Sequence, residues 1–148
     1  MHQKKSKANI FSYIRSILEQ SCNVWHTSLT KDNKEQLERI QKSALKIILG
    51  KKYLNYENAC NELEITDLKT RRQTLFEIFT IKNIHHPLMK EYFQTEENKK
   101  YSLRTIRKYK ITKSRTERFK NSTIIQMQQT ANDLFNTGKL KRQQLNQE

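Results

Sequence analysis

The sequence predicts a mostly α-helical protein: a small helical bundle with a basic, partly extended arm and a C-terminal helix. The chain has 148 residues but only two glycines and one proline, and a β-rich fold of this length needs more turn residues than that. Apolar residues recur at helical spacing in several segments. Because only 34% of residues are hydrophobic and 30% are charged, we expect part of the chain to lie outside any core.

Two amphipathic helices are predicted in the first third of the chain. The first covers residues 8–21. The second begins at Thr30 or at Asp32, both suitable N-caps, and ends near Leu49, with Gly50 at the position that favours a left-handed conformation. The apolar face of the second helix is predicted to be structural and consists of Leu37, Ile40, Ala44, Leu45 and Ile48. Trp25 is predicted to be a buried aromatic plug where the two helices meet.

Three further helices are predicted downstream. A short one is capped by Asn55, and a longer one is capped by Thr66 and stops before Pro87, since the residue preceding a proline is pushed out of the α region. The last one begins at Asn121 or Ser122. The predicted organisation is a basic N-terminal segment 1–9, a helical domain 10–93, a basic arm 94–120, a terminal helix 121–137 and a polar tail 138–148.

Positive charge is concentrated toward the end of the sequence. The net charge is +14, and residues 98–148 contain thirteen Lys and Arg against three acidic residues. Such a surplus favours a polyanionic partner, most often nucleic acid and less often an anionic membrane, although a basic chain can also be merely well solvated. We expect RNA, an RNA–DNA duplex or a DNA duplex as the partner, and neither a membrane nor a small-molecule substrate.

Two sets of cations are candidate phosphate contacts. Arg39, Lys42 and Lys46 recur at helical spacing beside the apolar face of the second helix and form a predicted cationic ridge. In the arm, basic residues alternate with aromatic rings that can stack on unpaired bases. The arm candidates are Arg104, Arg107, Lys108, Arg115 and Arg118 for phosphates, and Tyr101, Tyr109 and Phe119 for stacking.

No catalytic or metal site is expected. Cys22 and His26 lie four positions apart, but structural zinc sites use close ligand pairs, and a Cys–His nucleophile needs a third, orienting group. The three aspartates, Asp32, Asp67 and Asp133, are isolated, whereas two-metal phosphoryl transfer needs converging carboxylates. We predict a protein that is not an enzyme and has no cofactor.

The cellular location is predicted from what the sequence does not contain. Two cysteines do not form the dense disulfide framework of a small secreted domain. No export signal and no run of about 18 apolar residues is found. We expect an intracellular protein, nuclear or cytoplasmic.

Four segments, taken together and in order, carry a family resemblance. They are YIRSILEQSCNVWHTSLTKDNKEQLERIQKSALKIILG, YENACNELEITDLKTRR, HHPL and RTERFKNS. Their order resembles the region downstream of the polymerase palm in non-LTR (LINE-type, jockey-like) retrotransposon reverse transcriptases. Members of that family carry a stretch similar to I-R-S-x-L-E-Y-x-x-x-V-W, then an L-E-R-x-Q-K-x-A-L-R-I-I helix, an L-x-x-R-R helix and R-x-R-x-x-N-S. The similarity extends over residues 13–136.

The resemblance implies a thumb and post-thumb region that holds a template–primer duplex while another part of the polyprotein copies RNA into DNA. It implies a fragment, because the catalytic palm and the endonuclease are missing. The expected function is non-catalytic nucleic-acid binding. The alternatives are a helical interaction module that docks on other polymerase domains, or an inactive product of a truncated element. The residues that match basic positions of the family are Arg39, Lys42, Lys46, Arg71, Arg72, Arg115, Arg118 and Lys120.

Overall fold

The computed structural model describes residues 10–95 and 107–138. Within these ranges the protein is helical, which confirms the predicted fold class, and no strand is found there beyond an isolated antiparallel bridge between Thr95 and Tyr109. The α-helices of the described ranges are α1 (Ser16–Leu18), α2 (Cys22–Trp25), α3 (Lys31–Leu49), α4 (Tyr56–Glu62), α5 (Leu68–Asn83), α6 (Glu117–Lys120) and α7 (Thr123–Asn136). A π-helix, Ile10–Arg15, precedes α1. Short 3₁₀ helices cover His26–Ser28, Gly50–Lys52 and Lys90–Tyr92.

The chain divides into two compact units, Met1–Thr74 and Leu75–Glu148. The sequence suggested a different boundary, at residue 93, where the composition changes. The structural division lies earlier because Phe76 and Phe93 belong to the same core as Tyr109. The compositional change at residue 93 therefore does not mark the end of a core.

The beginning of the first unit departs from the predicted single helix over residues 8–21. The backbone breaks at Ser21, whose φ of 51° lies in the left-handed region. Arg15 is buried: its Nε donates to Gln41 Oε1 at 3.0 Å and its Nη2 donates to the carbonyl of Thr66. Ile17, which the apolar spacing places inside, is 71% exposed. The segment thus packs through an arginine that hydrogen bonds to buried partners.

Helices α3 and α4 begin with side-chain caps that the sequence predicted. Thr30 Oγ1 accepts a hydrogen bond from the Asn33 amide at 3.2 Å, so Thr30, and not Asp32, caps α3. Asn55 Oδ1 accepts from the Asn58 amide at 2.8 Å at the start of α4. The first unit buries a cluster contributed by α3, α4 and the residues after α4: Leu45, Ala59, Cys60, Leu63 and Ile65.

Helix α5 ends where the sequence predicted but begins with a different cap. Asp67 Oδ2 accepts a hydrogen bond from the Thr70 amide at 3.0 Å. Asp67, and not the predicted Thr66, therefore caps the helix. The helix ends at Asn83, before Pro87.

The second unit packs the later turns of α5 against α7 and against two residues from the described chain between them, Phe93 and Tyr109. Helix α7 ends before Gly138, whose φ of 70° favours glycine. Ile124 and Phe135, which recur at near-helical spacing with Met127, Ala131 and Leu134 in the sequence, are only half-buried, whereas Ile125 is fully buried. The buried cluster consists of Phe76, Ile84, Phe93, Tyr109, Met127, Ala131 and Leu134.

Among the residues that the structure describes, none of the helices combines the length and the apolar character needed to cross a lipid bilayer.

Candidate nucleic-acid interface

A basic segment outside regular secondary structure, residues 107–115, belongs to the second unit, and we call it the basic strip. Asn132 of α7 attaches its first part. This side chain is 4% exposed; its Oδ1 accepts from the backbone amides of Lys108 and Tyr109, each at 2.9 Å, and its Nδ2 donates to the Tyr109 carbonyl at 3.0 Å. One asparagine therefore satisfies three backbone groups of the strip.

Gln128, another buried amide of α7, attaches the next part of the strip. Its Oε1 accepts from the Thr112 amide at 2.9 Å, and its Nε2 donates to Thr112 Oγ1 at 3.1 Å and to the Tyr92 carbonyl at 2.6 Å. The Lys110 amide donates to the Gln94 carbonyl at 2.9 Å. Together with the isolated bridge between Thr95 and Tyr109, these bonds satisfy backbone groups that lie outside regular secondary structure, and they hold the strip in place.

Tyr109 faces the core, which corrects the prediction that its ring stacks on a base. The residue is 3% exposed, and its ring packs edge-on against Phe93, with centroids 5.7 Å apart and planes at 84°. The tyrosine is therefore turned inward while its neighbour Lys110 is exposed.

The cations of the strip share one open cleft. Arg107, Lys110 and Lys113 are exposed and line a cavity of about 760 Å³. Arg115, the last cation of the strip, is exposed outside this lining. The three lining cations share the concave surface with the carboxylate of Glu91, so positive charge predominates among the described lining residues and raises the local potential. The cleft is therefore the best-defined candidate site for a polyanion in the second unit.

Lys108 is held differently from the other cations of the strip. Its Nζ lies 5.4 Å from the ring centroid of Tyr109 and 5.1 Å from that of Phe135. Cation–π contacts of this kind contribute about 0.5–1 kcal/mol at exposed sites. The half-buried lysine therefore helps to attach the strip and presents its charge less fully than Arg107 does.

Helix α6 places three more of the predicted residues at the surface. Arg118 and Lys120 are exposed, and Phe119 is 49% exposed. Lys120 Nζ lies 3.5 Å from Glu117 Oε1, but an ion pair between two exposed side chains contributes little, so the lysine can exchange this partner for a phosphate. Two predicted residues lie outside the described ranges: Tyr101 and Arg104.

In the first unit, the predicted cationic ridge of α3 lies at the surface. Arg39, Lys42 and Lys46 are all exposed. Lys42 Nζ lies 5.1 Å from the ring centroid of Tyr56, and Lys46 Nζ lies 5.6 Å from that of Tyr53. The aromatic rings limit where the two ammonium groups can move, so the ridge presents ordered positive charge.

The twin arginines of α5 do not act together, which corrects one of the predicted contacts. Arg72 is 0% exposed and cannot reach a phosphate in this fold, and burial lowers its pKa. Arg71 is partly exposed, and its Nε lies 3.0 Å and 3.2 Å from the two carboxylate oxygens of Glu19. Adjacent helical residues are separated by about 100° around the axis, so a pair such as this faces two different environments.

The cysteine and histidine near residue 22 contact other groups. Cys22 is 2% exposed, and its Sγ lies 3.9 Å from Asn23 Oδ1. His26 Nε2 lies 3.4 Å from Gln73 Oε1. Within residues 10–95 and 107–138, no three or more His, Cys, Asp or Glu side chains are grouped so that they could hold a metal ion.

Trp25 is half-buried, which differs from the buried plug that the sequence suggested. Its Nε1 donates to the carbonyl of Gln20 at 2.9 Å. The ring lines an open, mostly apolar cleft of about 330 Å³ together with Leu37 and Ile40. Ile40 is 50% exposed, so this end of the apolar face of α3 is only partly covered. Further along that face, Leu45 is fully buried and Ile48 half-buried.

His26 is expected to make the protein less stable at mildly acidic pH. Burial lowers the pKa of its imidazole below the usual 6.5; the hydrogen bond with Gln73 opposes this shift, and the charges of Arg72 and Lys34 add to it. The unfolded chain therefore binds the proton at a higher pH than the folded chain does. The free energy of unfolding should fall as the pH decreases through about 6.5 and below.

Urea unfolding at about pH 7.5 and about pH 5.5 measures this effect. In His26→Gln, the part of the pH dependence that His26 contributes should disappear. His86→Gln is the matched control, because His86 is exposed. If His26→Gln and the unaltered protein lose the same stability between the two pH values, this role of His26 is refuted.

The site residues that sequence reasoning missed are buried amides. Gln128 and Asn132 lie four positions apart on α7, beside the apolar residues of the core, and Gln41 lies between Leu37 and Leu45 on α3. A polar amide within an apolar helical face is the signal that could have identified all three. Such a residue must find hydrogen-bond partners when the face is buried.

Comparison of the chain with protein-family models, with curated proteins and with solved structures finds no match.

Proposed function

We propose that this protein binds nucleic acid through its phosphates, without strong sequence preference, and that the basic strip is the principal contact surface. The observation that carries the proposal is the attachment of the strip: Gln128 and Asn132 hold its backbone while Arg107, Lys110 and Lys113 line one cleft. Because the backbone is already held, only the side chains of these cations lose conformational entropy when a phosphate binds. The strip is thus suited to a polyanion.

The positive charge of residues 107–120, in the second unit, complements the negative charge of a phosphate backbone. Residues 107–120 carry seven Lys and Arg and a single acidic residue, Glu117. Each phosphate that Lys or Arg neutralises releases counterions, so the binding free energy depends strongly on salt. The cationic ridge on α3 provides a second surface of the same character.

The resemblance to non-LTR reverse transcriptases points to the same class of ligand. It implies RNA or a template–primer duplex, held by a non-catalytic region of the polymerase. Both ligands present a continuous row of phosphates, and phosphate contacts carry no sequence information. The proposal therefore predicts affinity for many sequences.

Replacing Arg107, Lys110 and Lys113 together with glutamine tests the proposal. We expect the affinity for RNA to fall by about 10- to 100-fold at physiological salt, and the slope of log affinity against log salt to decrease by about 2–3, because each lost contact removes about 0.7–0.9. Electrophoretic mobility shift or fluorescence anisotropy titrations at several salt concentrations measure both quantities.

A charge-matched control tests whether the affinity depends on these three positions or only on the net charge of the protein. Lys31, Lys69 and Lys82 are exposed and lie outside the strip and the ridge, so their joint replacement with glutamine changes the net charge equally. We expect this variant to keep most of the affinity. Equal losses in both variants, or a salt-independent affinity of the unaltered protein, would refute the proposed site.

A second function, docking on another protein, is supported by exposed apolar side chains in the first unit. Ile17, Val24 and Leu54 are 71%, 65% and 79% exposed. Exposed apolar surface of this kind occurs at protein–protein contacts. If the unaltered protein binds no nucleic acid even at low salt, this function replaces the one proposed above.

A further inference from the structure

Tyr92 provides an aromatic surface in the same cleft as the cations of the basic strip. The residue is 39% exposed and is one of the residues that line the cavity of about 760 Å³. Its backbone is held on both sides: its amide donates to the Met89 carbonyl at 3.0 Å, and its carbonyl accepts from Gln128 Nε2 at 2.6 Å. The backbone that carries the ring is therefore held by the same glutamine that holds the strip.

The cleft combines two chemical features that match one nucleotide. Tyr92 offers a π surface, on which any base can stack. Arg107, Lys110 and Lys113 offer positive charge for the phosphates on either side of that base. The cavity volume lies within the range of about 300–1,000 Å³ that is usual for small-ligand sites. Stacking on a protein ring requires a base that is not already stacked inside a duplex.

The negative charge of Glu91 makes one end of the cleft chemically different from the other. This residue lines the same cavity, and it is the only acidic residue among the described lining residues. A carboxylate repels phosphate, and it can accept a hydrogen bond from the exocyclic amino group of a base. The base end of a nucleotide is thus favoured near Glu91, and the phosphate end is favoured near the strip.

We propose that this cleft binds an unpaired nucleotide, with the base stacked on Tyr92 and the neighbouring phosphates on Arg107, Lys110 and Lys113. This inference rests on the proposed function and adds a preference for single-stranded segments over fully paired ones. Duplexes still bind through phosphates, but they cannot place a base on Tyr92. The preference for single strands should therefore depend on the ring, whereas the salt dependence should depend on the cations.

The test compares a short single-stranded RNA with the fully paired duplex of the same sequence, using the full-length protein. Tyr92→Leu should weaken binding of the single strand by about tenfold, which corresponds to about 1.4 kcal/mol and is within the usual value of one base–aromatic stack. The affinity of Tyr92→Leu for the duplex should differ from that of the unaltered protein by less than about twofold. Tyr92→Phe should retain the affinity for the single strand, since the π surface remains.

A spectroscopic measurement reports the stacking itself. The fluorescence of 2-aminopurine is quenched when the base stacks, so a single strand carrying this base should be quenched on binding to the unaltered protein and much less on binding to Tyr92→Leu. Tyr13→Leu is the matched control, because Tyr13 is a 71% exposed tyrosine of the first unit. Circular dichroism verifies that each variant is folded.

The outcomes separate this inference from the proposed function. If Tyr92→Leu binds single strand and duplex as the unaltered protein does, or loses both equally, the stacking site is refuted, while salt-dependent binding still supports the proposed function. If the unaltered protein binds neither nucleic acid, both are refuted. Selective loss of the single strand together with loss of quenching supports the inference.

Discussion

Replacing Asn132 with leucine is expected to lower the free energy of unfolding by about 2–5 kcal/mol, because each buried amide left without a partner costs about 1–3 kcal/mol. Leucine has the same branched shape and number of side-chain heavy atoms as asparagine, but it can neither accept from the amides of Lys108 and Tyr109 nor donate to the Tyr109 carbonyl. Urea unfolding followed by circular dichroism measures the change.

The same substitution should also weaken nucleic-acid binding, because it releases the first part of the basic strip. Asn136→Leu is the matched control: Asn136 lies four residues later on α7 and is exposed, so its replacement should alter stability by less than about 0.5 kcal/mol. Equal stability of Asn132→Leu and Asn136→Leu would contradict the role assigned to the buried amide.

Replacing Leu45 with alanine is expected to destabilise the protein by about 2–5 kcal/mol, through lost apolar contacts and the cavity that remains. Leu45 is 0% exposed and packs with Ala59, Cys60 and Leu63 in the core of the first unit. The loss should appear in urea unfolding as a lower midpoint with little change in slope.

Ile47→Ala is the control for this prediction, because Ile47 lies on the same helix and is 82% exposed. The two substitutions remove aliphatic side chains of equal size from α3. Only the substitution at Leu45 should be costly. A similar loss at both positions would show that helix propensity, and not burial, determines the result.

The boundaries of the longer helices could be predicted from the sequence because they depend on neighbouring residues. Thr30 and Asn55 satisfy backbone amides three positions later, and Gly50 adopts a left-handed conformation after Leu49. These interactions involve at most a few residues along the chain. They form in the same way wherever the helix later packs.

The buried polar contacts could not be predicted, because their partners are distant in sequence. Arg15 resembles any other basic residue of an amphipathic helix until Gln41 and the Thr66 carbonyl accept its hydrogen bonds. Arg71 and Arg72 are adjacent and of the same type, yet one pairs with Glu19 and the other is fully buried. Charge alone does not indicate on which side of a helix the core lies.

For the candidate site as well, one feature could be predicted from the sequence and another depended on packing between distant residues. The excess of Lys and Arg in residues 98–148 was evident from composition, and with it the expectation of a polyanionic partner. The choice between Tyr109 and Tyr92 as an accessible ring was not evident, since each lies directly beside a charged residue in the sequence. Tyr109 is turned into the core against Phe93, and Tyr92 lines the cleft.

The sequence by itself determined the helical fold class, the caps of α3 and α4 and the uneven distribution of positive charge. Each depends on local spacing or on composition. The tertiary structure alone decided that Gln128 and Asn132 hold the basic strip and that three of its cations share a cleft. Buried amides must pair wherever the fold brings a partner within reach, and that partner is known only when distant segments have packed together.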